Sequence, residues 1–526
     1  MRAAPFGSTM GYSQHASFKR ADPPAAAPPT ASAVRAASTY DVVVVGGGGS
    51  GLAAAIEARA AGASVVLIEK NPQLGGSTAW SIGSVTASRT PHQARNGIAD
   101  DPADHWRDMA GFNGALDPRD NVELRRLLAD EMPATFQWLL DHGVRFFGPM
   151  PEPPHTRPRM HNVLPNSRAF ISHLGRAARR AGVEIITGAR ATALATEQGR
   201  VVGVDCATAD GPRAVRARGG VVLAAGDFTS DPELKGRYMG PQEAKIDGVN
   251  ITATGDGQKL AERLGARILN GDLALGPELR FVPPPGRNLL LLLPPWRMLA
   301  NLMAWSLAHM PSALLRPFVM SFVTTALAPS LDLFGEGALL INARGERFTD
   351  ERDRPAFALP DQPGKVAWIL LDRRMTELFS AWPHFVSTAP GVAYAYVDDY
   401  RRNRRDIFSR APSLDALAER LRMPAATLAA TVRAYNASVG NRPPFADGPY
   451  VALGPLRAVF VHNEGGLAVD REHRVLGDGD RPIPGLYAAG ATGQGGLLLK
   501  GHGHHLGWAF VSGRRAGRNA AKEARS

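Results

Sequence analysis

Residues Tyr40 to Lys70 read YDVVVVGGGGSGLAAAIEARAAGASVVLIEK, and their order decides the fold. Val42 to Val45 form an unbroken β-branched run, the pattern of a strand buried on both faces of a parallel sheet. Gly46, Gly48 and Gly51 follow at G-x-G-x-x-G spacing, where the strand turns into a helix. In that arrangement the first glycine permits the tight turn and the second lets backbone approach a pyrophosphate. The third lets helix and strand pack closely. Gly49 and Ser50 open the helix, whose first N–H groups and positive dipole end would face the phosphates. A second apolar run, Ser64 to Ile68, ends in Glu69, about 20 residues on, where a carboxylate can accept ribose hydroxyls. Strand, glycines, helix, second strand and acid in register predict a Rossmann-like dinucleotide unit and an α/β fold.

Beyond Lys70 the chain runs Asn71-Pro72-Gln73-Leu74-Gly75-Gly76-Ser77-Thr78, then Ser81, Gly83 and Ser84. A glycine pair with hydroxyls just past the second strand resembles the loop by which FAD-dependent enzymes follow pyrophosphate and flavin. Ser77, Thr78 and Ser81 are the candidates for the isoalloxazine edge, with Lys70, Gly75, Gly76 and Gly83 around them. Near the other end come Gly485-Leu486-Tyr487-Ala488-Ala489-Gly490, a glycine-rich loop, an apolar segment from Leu506 to Val511, and Gly513-Arg514-Arg515-Ala516-Gly517. This order resembles the closing motif of the fumarate reductase and 3-ketosteroid dehydrogenase family of FAD flavoproteins. Val221 to Gly226 and Thr254-Gly255-Asp256-Gly257 resemble two further landmarks, so the likeness spans roughly Tyr40 to Gly517. It implies non-covalent FAD, with Ala191, Ala225, Gly226, Asp256, Gly490, His504, His505 and Leu506 completing the cofactor set. The closing helix would put its N-terminal dipole against reduced flavin. One position departs: Ala491 stands where many relatives carry an acid toward the ribityl chain.

With 526 residues and 44% hydrophobic content, the chain can build a large core and two domains. Its single cysteine, Cys206, excludes an intramolecular disulfide and a thiolate metal site, and fits a reducing, cytoplasmic setting. A net charge of +11 would suit an anionic substrate, nucleic acid or a membrane surface. The arginines are scattered and not clustered with aromatics, so no nucleic-acid partner is expected. Residues 1–38 are Ala-, Pro- and Ser-rich without the apolar stretch of a signal peptide, and are expected to be disordered. The rest divides into 39–266, the first part of the FAD domain; 267–440, an inserted α+β substrate-capping domain; and 441–526, the second part of the FAD domain. Inside the cap, 281–334 is a strongly apolar insertion. No acid occurs between Glu278 and Asp332, while Arg287, Arg297 and Arg316 remain. Charge and Pro311 divide it into pieces unsuited to spanning a bilayer. Two readings stand: a basic, apolar helical pair in a membrane interface, or a buried insertion or subunit contact.

The same resemblance places the substrate side. Arg159-Met160-His161 resembles the Arg-x-His segment in which a histidine meets a substrate carboxylate. Asn342 to Glu351 resembles the N-x-x-G-x-R-F-x-x-E turn, and the catalytic arginine just beyond it maps to Arg354, with Arg352 as rival. His462-Asn463-Glu464-Gly465-Gly466 matches His-x-x-Gly-Gly, whose histidine binds substrate. Lys500 falls where the reductases hold a second arginine; it keeps the charge but loses the fork that grips a carboxylate. Leu499 occupies the place of the steroid dehydrogenases' tyrosine, for which Tyr394 or Tyr396 could substitute. No metal is expected at His502, His504 and His505, since no carboxylate or cysteine accompanies them.

The implied function is an FAD-dependent oxidoreductase acting on CH–CH groups, adding or removing hydrogen across a C–C or C=C bond beside a carbonyl or carboxylate. Hydride would pass through flavin N5, with Arg354 and His462 handling proton and substrate charge. The insertion and Lys500 favour a lipophilic small-molecule substrate, a steroid-like ketone or hydrophobic acid. Two alternatives are a soluble fumarate-reductase-like enzyme for a small unsaturated acid and a non-catalytic membrane-associated flavoprotein. The electron donor or acceptor is left open, no haem or iron–sulfur motif being present.

Overall fold

In the computed structural model, which describes residues 38–284, 293–389, 393–440 and 442–525, the valine run becomes an inner strand. β1 (Ser38–Val45) pairs in parallel with β2 (Val65–Glu69) on one side and with the Gly211–Leu223 strand on the other. Val42, Val43 and Val44 have no exposed surface, which is why that stretch tolerates no alternation with polar residues. The sheet runs in the order Arg474–Leu476, Pro482–Ala488, Gly211–Leu223, β1, β2 and Glu184–Thr187. All these pairs are parallel except the first. An antiparallel hairpin, Arg190–Glu197 and Arg200–Thr208, extends from the Gly211–Leu223 strand. Cys206 is buried in it, and burial pushes its thiol up to about 11. The expectation for 1–38 lies outside the described residues, save Ser38, the first residue of β1.

Between β1 and β2 runs α1 (Gly49–Ala60), and the closing helix His504–Glu523 packs across it. Glycine makes this crossing close. A Cβ at Gly513 would stand 2.3 Å from the Ser50 carbonyl oxygen, and one at Gly517, a turn later on the same face, 2.1 Å from that of Ala54. The end of the chain thus fixes the first helix of the nucleotide unit.

A second, six-stranded sheet is organised around Tyr450–Phe460. That strand pairs with Asp247–Gly248, Glu278–Phe281, Ala367–Leu371 and Phe408–Ala411, and Leu339–Asn342 adds beyond Ala367–Leu371. Residues 450–460, assigned by sequence to the returning nucleotide domain, therefore sit in the cap sheet; the chain rejoins the first sheet at Arg474–Leu476. The cause is physical: Tyr450–Phe460 is a mostly buried central strand, and its apolar run does not say which sheet it fills. The architecture is α/β, a Rossmann-like domain carrying an inserted α+β cap.

In the apolar insertion, Arg297–His309 and Ser312–Ala326 are helices, while 285–292 falls outside the described residues. The second helix buries Met320, Val323 and Thr324 in the cap core. The first packs on the Arg145–Met150 and Met160–Leu164 strands and buries only Ala300 completely. No helix among the described residues is long and apolar enough to cross a membrane.

Candidate active site

The glycine turn is tight where backbone meets backbone and open where a ligand would lie. Gly46 takes φ 112°, and a Cβ there would come 2.2 Å from the Ala224 carbonyl oxygen, so only glycine fits. A Cβ at Gly51 would meet the Gly46 oxygen at 1.8 Å. Gly48 instead faces space: nothing approaches its missing Cβ closer than the Gly75 oxygen at 3.8 Å, and Gly226 has nothing within 4 Å. The N–H of Gly47 donates to Glu69 Oε2 at 2.7 Å and that of Gly49 to Thr78 Oγ1 at 3.1 Å. Glu69 Oε1 accepts from both Asn71 nitrogens at 2.8 Å, so the buried acid fixes its own loop and retains further lone pairs for a hydroxyl.

Lys70 and Asp256, both expected at the cofactor, bind each other at 2.9 Å, and Arg190, next to Ala191, reaches the second Asp256 oxygen at 2.7 Å. Burial opposes ionisation of Asp256, yet these two cations hold its carboxyl below the usual range. Ser77 accepts from Asn250 Nδ2 at 2.9 Å, which ties this loop to the approach of the cap sheet, and Ser81 donates to the Thr78 carbonyl at 2.8 Å. Ala225 and Gly226 follow the Gly211–Leu223 strand, with the Gly226 carbonyl held by Gln258 and Thr492. Gly490 N–H donates to Ser512 at 2.8 Å, and a Cβ on it would strike Ser50. Gly75 and Gly76 face Gly48, whereas Gly83 packs on Val163 and Leu506 joins the first core.

At the edge of this cradle, beside Asp227, which follows Gly226, three polar residues converge. His462 lies on a two-residue strand paired with Ala274–Leu275, Glu464 follows it, and His505 is the second residue of the closing helix. Glu464 Oε1 is 3.7 Å from His462 Nε2 and 3.4 Å from His505 Nε2, with the two rings 3.8 Å apart. Its other oxygen accepts from Gln494 Nε2 and from the Leu499 N–H at 3.2 Å. Burial disfavours the anion, but His505 and His462 hold Glu464 well below the carboxylate range. Burial, then repulsion by His505, lowers His462 from its ordinary value, and Glu464 pulls the other way. Asp227, also buried, is raised by that burial while Thr229 and His462 oppose the shift. Lys500 is half-buried, and its ammonium has no ion pair among the described residues.

Glu464 is the residue the sequence reading missed, although it stands inside the quoted His-x-x-Gly-Gly motif. The expectation that no carboxylate accompanies the loop histidines is overturned. Glu464 meets His505, and Glu152 binds His502 Nδ1 at 2.5 Å and raises its pKa. His504 turns the other way. Its Nδ1 bonds the Lys500 carbonyl at 2.5 Å and its Nε2 lies 3.4 Å from that of His105, with His155 beside them, all three buried.

Two expected substrate residues lie elsewhere. His161 has no exposed surface; it bonds Thr90 at 3.1 Å among His92 and Phe136, and burial pushes it down to about 3. It is a core residue because Arg159 beside it anchors a buried ion-pair set, to Asp100 at 2.7 Å and to Asp108 at 2.5 Å. Arg354 is at the opposite extreme. Its side chain is 78% exposed, lies over Phe357, and reaches Asp353 only at 3.8 Å. The motif preceding it is a cap lock: buried Glu351 takes Arg347 and Arg442, each at 2.9 Å. Its rival Arg352 pairs with Asp350.

A family model described as "FAD binding domain" matches residues 41–284 and 297–498. The chain belongs to this FAD_binding_2 family. Over 498 residues it is 27% identical to a probable fumarate reductase, Ifc3, of Shewanella frigidimarina (strain NCIMB 400), covering 90% of this chain and 73% of that one. It spans about half the length of two further relatives, an NADH:fumarate oxidoreductase of Klebsiella pneumoniae (strain 342), at 47%, and an NADH:acrylate oxidoreductase of Vibrio harveyi, at 49%. Among solved structures, the open conformation of a flavocytochrome c3 fumarate reductase superposes with a TM-score of 0.69 at 26% identity, covering 93% of this chain and 79% of that one. A 3-ketosteroid-Δ4-(5α)-dehydrogenase from Rhodococcus jostii RHA1, in complex with 4-androstene-3,17-dione, gives 0.57 at 25% identity, covering 94% and 99%. The residues present fit FAD: the space left by Gly48 and Gly226 borders the turn whose neighbouring N–H groups Glu69 and Thr78 already fix.

Proposed function

We propose that this flavoprotein adds or removes hydrogen across a C–C or C=C bond next to a carbonyl or carboxylate, and that its substrate is lipophilic, a steroid-like ketone or a hydrophobic acid. Bound FAD supplies hydride transfer at flavin N5. Gly46 to Ser50, Glu69, Gly75 to Thr78 and Gly226 hold the cofactor non-covalently, in keeping with the burial of the only cysteine in the hairpin.

The observation that carries this reading is the Glu464 carboxylate between His462 and His505. One anion shared by two imidazoles favours a single proton on the pair, so one ring can accept a proton from carbon while the other keeps its own. Lys500, without an ion pair among the described residues, supplies a cation for a carbonyl or carboxylate oxygen. Arg354 remains a candidate proton donor only if cap movement brings it to the cleft; His161 has no part. Apolar groups border the cluster: exposed Leu275 pairs with His462 across the short ladder, and Val249 donates its N–H to the Phe460 carbonyl two residues before it. A lipophilic substrate also places this cytoplasmic enzyme at a membrane surface, with its electron partner a separate molecule.

Anaerobic titration of the holoenzyme, followed by flavin absorbance, tests the assignment. Bleaching by a hydrophobic saturated ketone and reoxidation by an enone are expected. Reoxidation by fumarate alone would replace it with the small-acid reading, and no response to any of them would leave a flavoprotein without a substrate of this class.

A further inference from the structure

The Arg297–His309 helix has two unlike faces. Leu299, Ala300, Met303 and Leu307 turn inward, whereas Met298, Leu302 and Trp305 form an outward stripe, 86%, 59% and 55% exposed. Trp296, just before the helix, and Leu314, in the first turn of the next helix, are also exposed, at 68% and 59%. Residues at i, i+4 and i+7 share one helix face, so this is a continuous apolar ridge and not a scatter of exposed side chains.

Positive charge adjoins the ridge. His173 Nε2 donates to the Pro295 carbonyl at 3.1 Å, which ties the start of the ridge to the Arg168–Arg180 helix. Beside that tie, a groove of about 540 Å³ is lined by Leu74, Ile171, Arg176, Arg179 and Arg180, with no acid in its wall. Arg297 lies close enough to Arg145 for their repulsion to add to burial in lowering Arg145. The whole stretch from Leu279 to Leu331 contains no acid.

We propose that this ridge and its arginine groove dock the enzyme on an anionic lipid membrane, the Arg297–His309 helix lying in the interface plane. Met298, Leu302, Trp305 and Leu314 enter the acyl boundary, and Trp296 sits at headgroup level. Arg176, Arg179, Arg180 and Arg297 face lipid phosphates. Ser312–Ala326, buried against the cap, anchors the helix to the body of the protein. The inference deepens the membrane placement given above, but its test involves no turnover, so docking can fail while the oxidoreductase assignment stands.

Holoenzyme is sedimented with phosphatidylcholine vesicles, with and without phosphatidylglycerol, at low and high salt. Binding is expected with phosphatidylglycerol and should weaken as salt rises. The double variant Met298→Glu/Trp305→Glu should abolish it, and Arg176→Gln/Arg179→Gln should reduce affinity for the anionic vesicles about five-fold per arginine. Unchanged flavin content in each variant reports an intact fold. Failure to sediment with anionic vesicles, or binding that ignores both variants, overturns the proposal. So does a concentration-dependent dimer that Met298→Glu/Trp305→Glu dissolves, since the ridge would then be a subunit contact.

Discussion

His504 and His505 are consecutive residues of one helix, yet they enter opposite kinds of cluster. His504 joins His105 and His155 in a buried set packed on Phe112, where Asp108 and Glu152 favour the charged forms of His155 and His504 but burial outweighs them. Burial keeps all three neutral, pushing His155 down to about 2. His505 shares Glu464 with His462 at the edge of the cradle, where a quarter of each ring remains exposed. In the function proposed above, the same side chain is packing material in one place and a proton carrier in the next, the difference being an anion shared between two rings and an open side.

The comparison breaks most readily at that anion. Glu464→Gln should lower turnover about 10²- to 10³-fold with flavin content retained, the range general acid–base groups supply. His155→Gln should leave turnover near wild type; equal losses in both variants would erase the distinction. Lys500→Met comes next. Losing a charged hydrogen bond to substrate should raise KM about ten-fold or more with little change in kcat.

The buried cluster should announce itself through stability instead. An unfolded imidazole takes up a proton below its ordinary pKa of about 6.5, whereas the native rings of His105 and His155 do not. The unfolded state then binds more protons, so stability falls as pH drops from about 6.5 toward the native values, by up to about 1.4 kcal/mol per pH unit for each ring. Thermal melts of His155→Gln should show a shallower acid limb than wild type, while His502→Gln, which removes a ring whose native pKa is raised, should not flatten it. Smallest is Arg354→Gln. An exposed arginine with one loose partner should cost about 0.5 kcal/mol of stability or less. Its turnover should stay within a few-fold; a loss approaching that of Glu464→Gln would mean that the cap delivers Arg354 to the substrate.

The cradle was legible in sequence because its constraints are local. Gly46, Gly51 and the Val42–Val45 run are dictated by contacts within one strand-turn-helix unit, where spacing alone carries the geometry. The proposed proton-handling cluster was only half legible. His462 and His505 stood in recognisable motifs, but Glu464 acquires its role from the fold that brings the closing helix against it. Arg159-Met160-His161 misled for the complementary reason. Its arginine is held by Asp100 and Asp108, which lie far upstream, so a segment that resembles a substrate contact is a buried ion-pair anchor. Arg347 and Glu351 likewise mark a motif whose evident work is to lock the cap through Arg442.

The most direct test follows deuterium exchange in D2O at the carbon beside the carbonyl of a hydrophobic ketone, with anaerobic holoenzyme. Exchange should occur with wild type, persist in Arg354→Gln, and stop in Glu464→Gln. Exchange lost in Arg354→Gln and retained in Glu464→Gln would contradict a proton path through His462, Glu464 and His505.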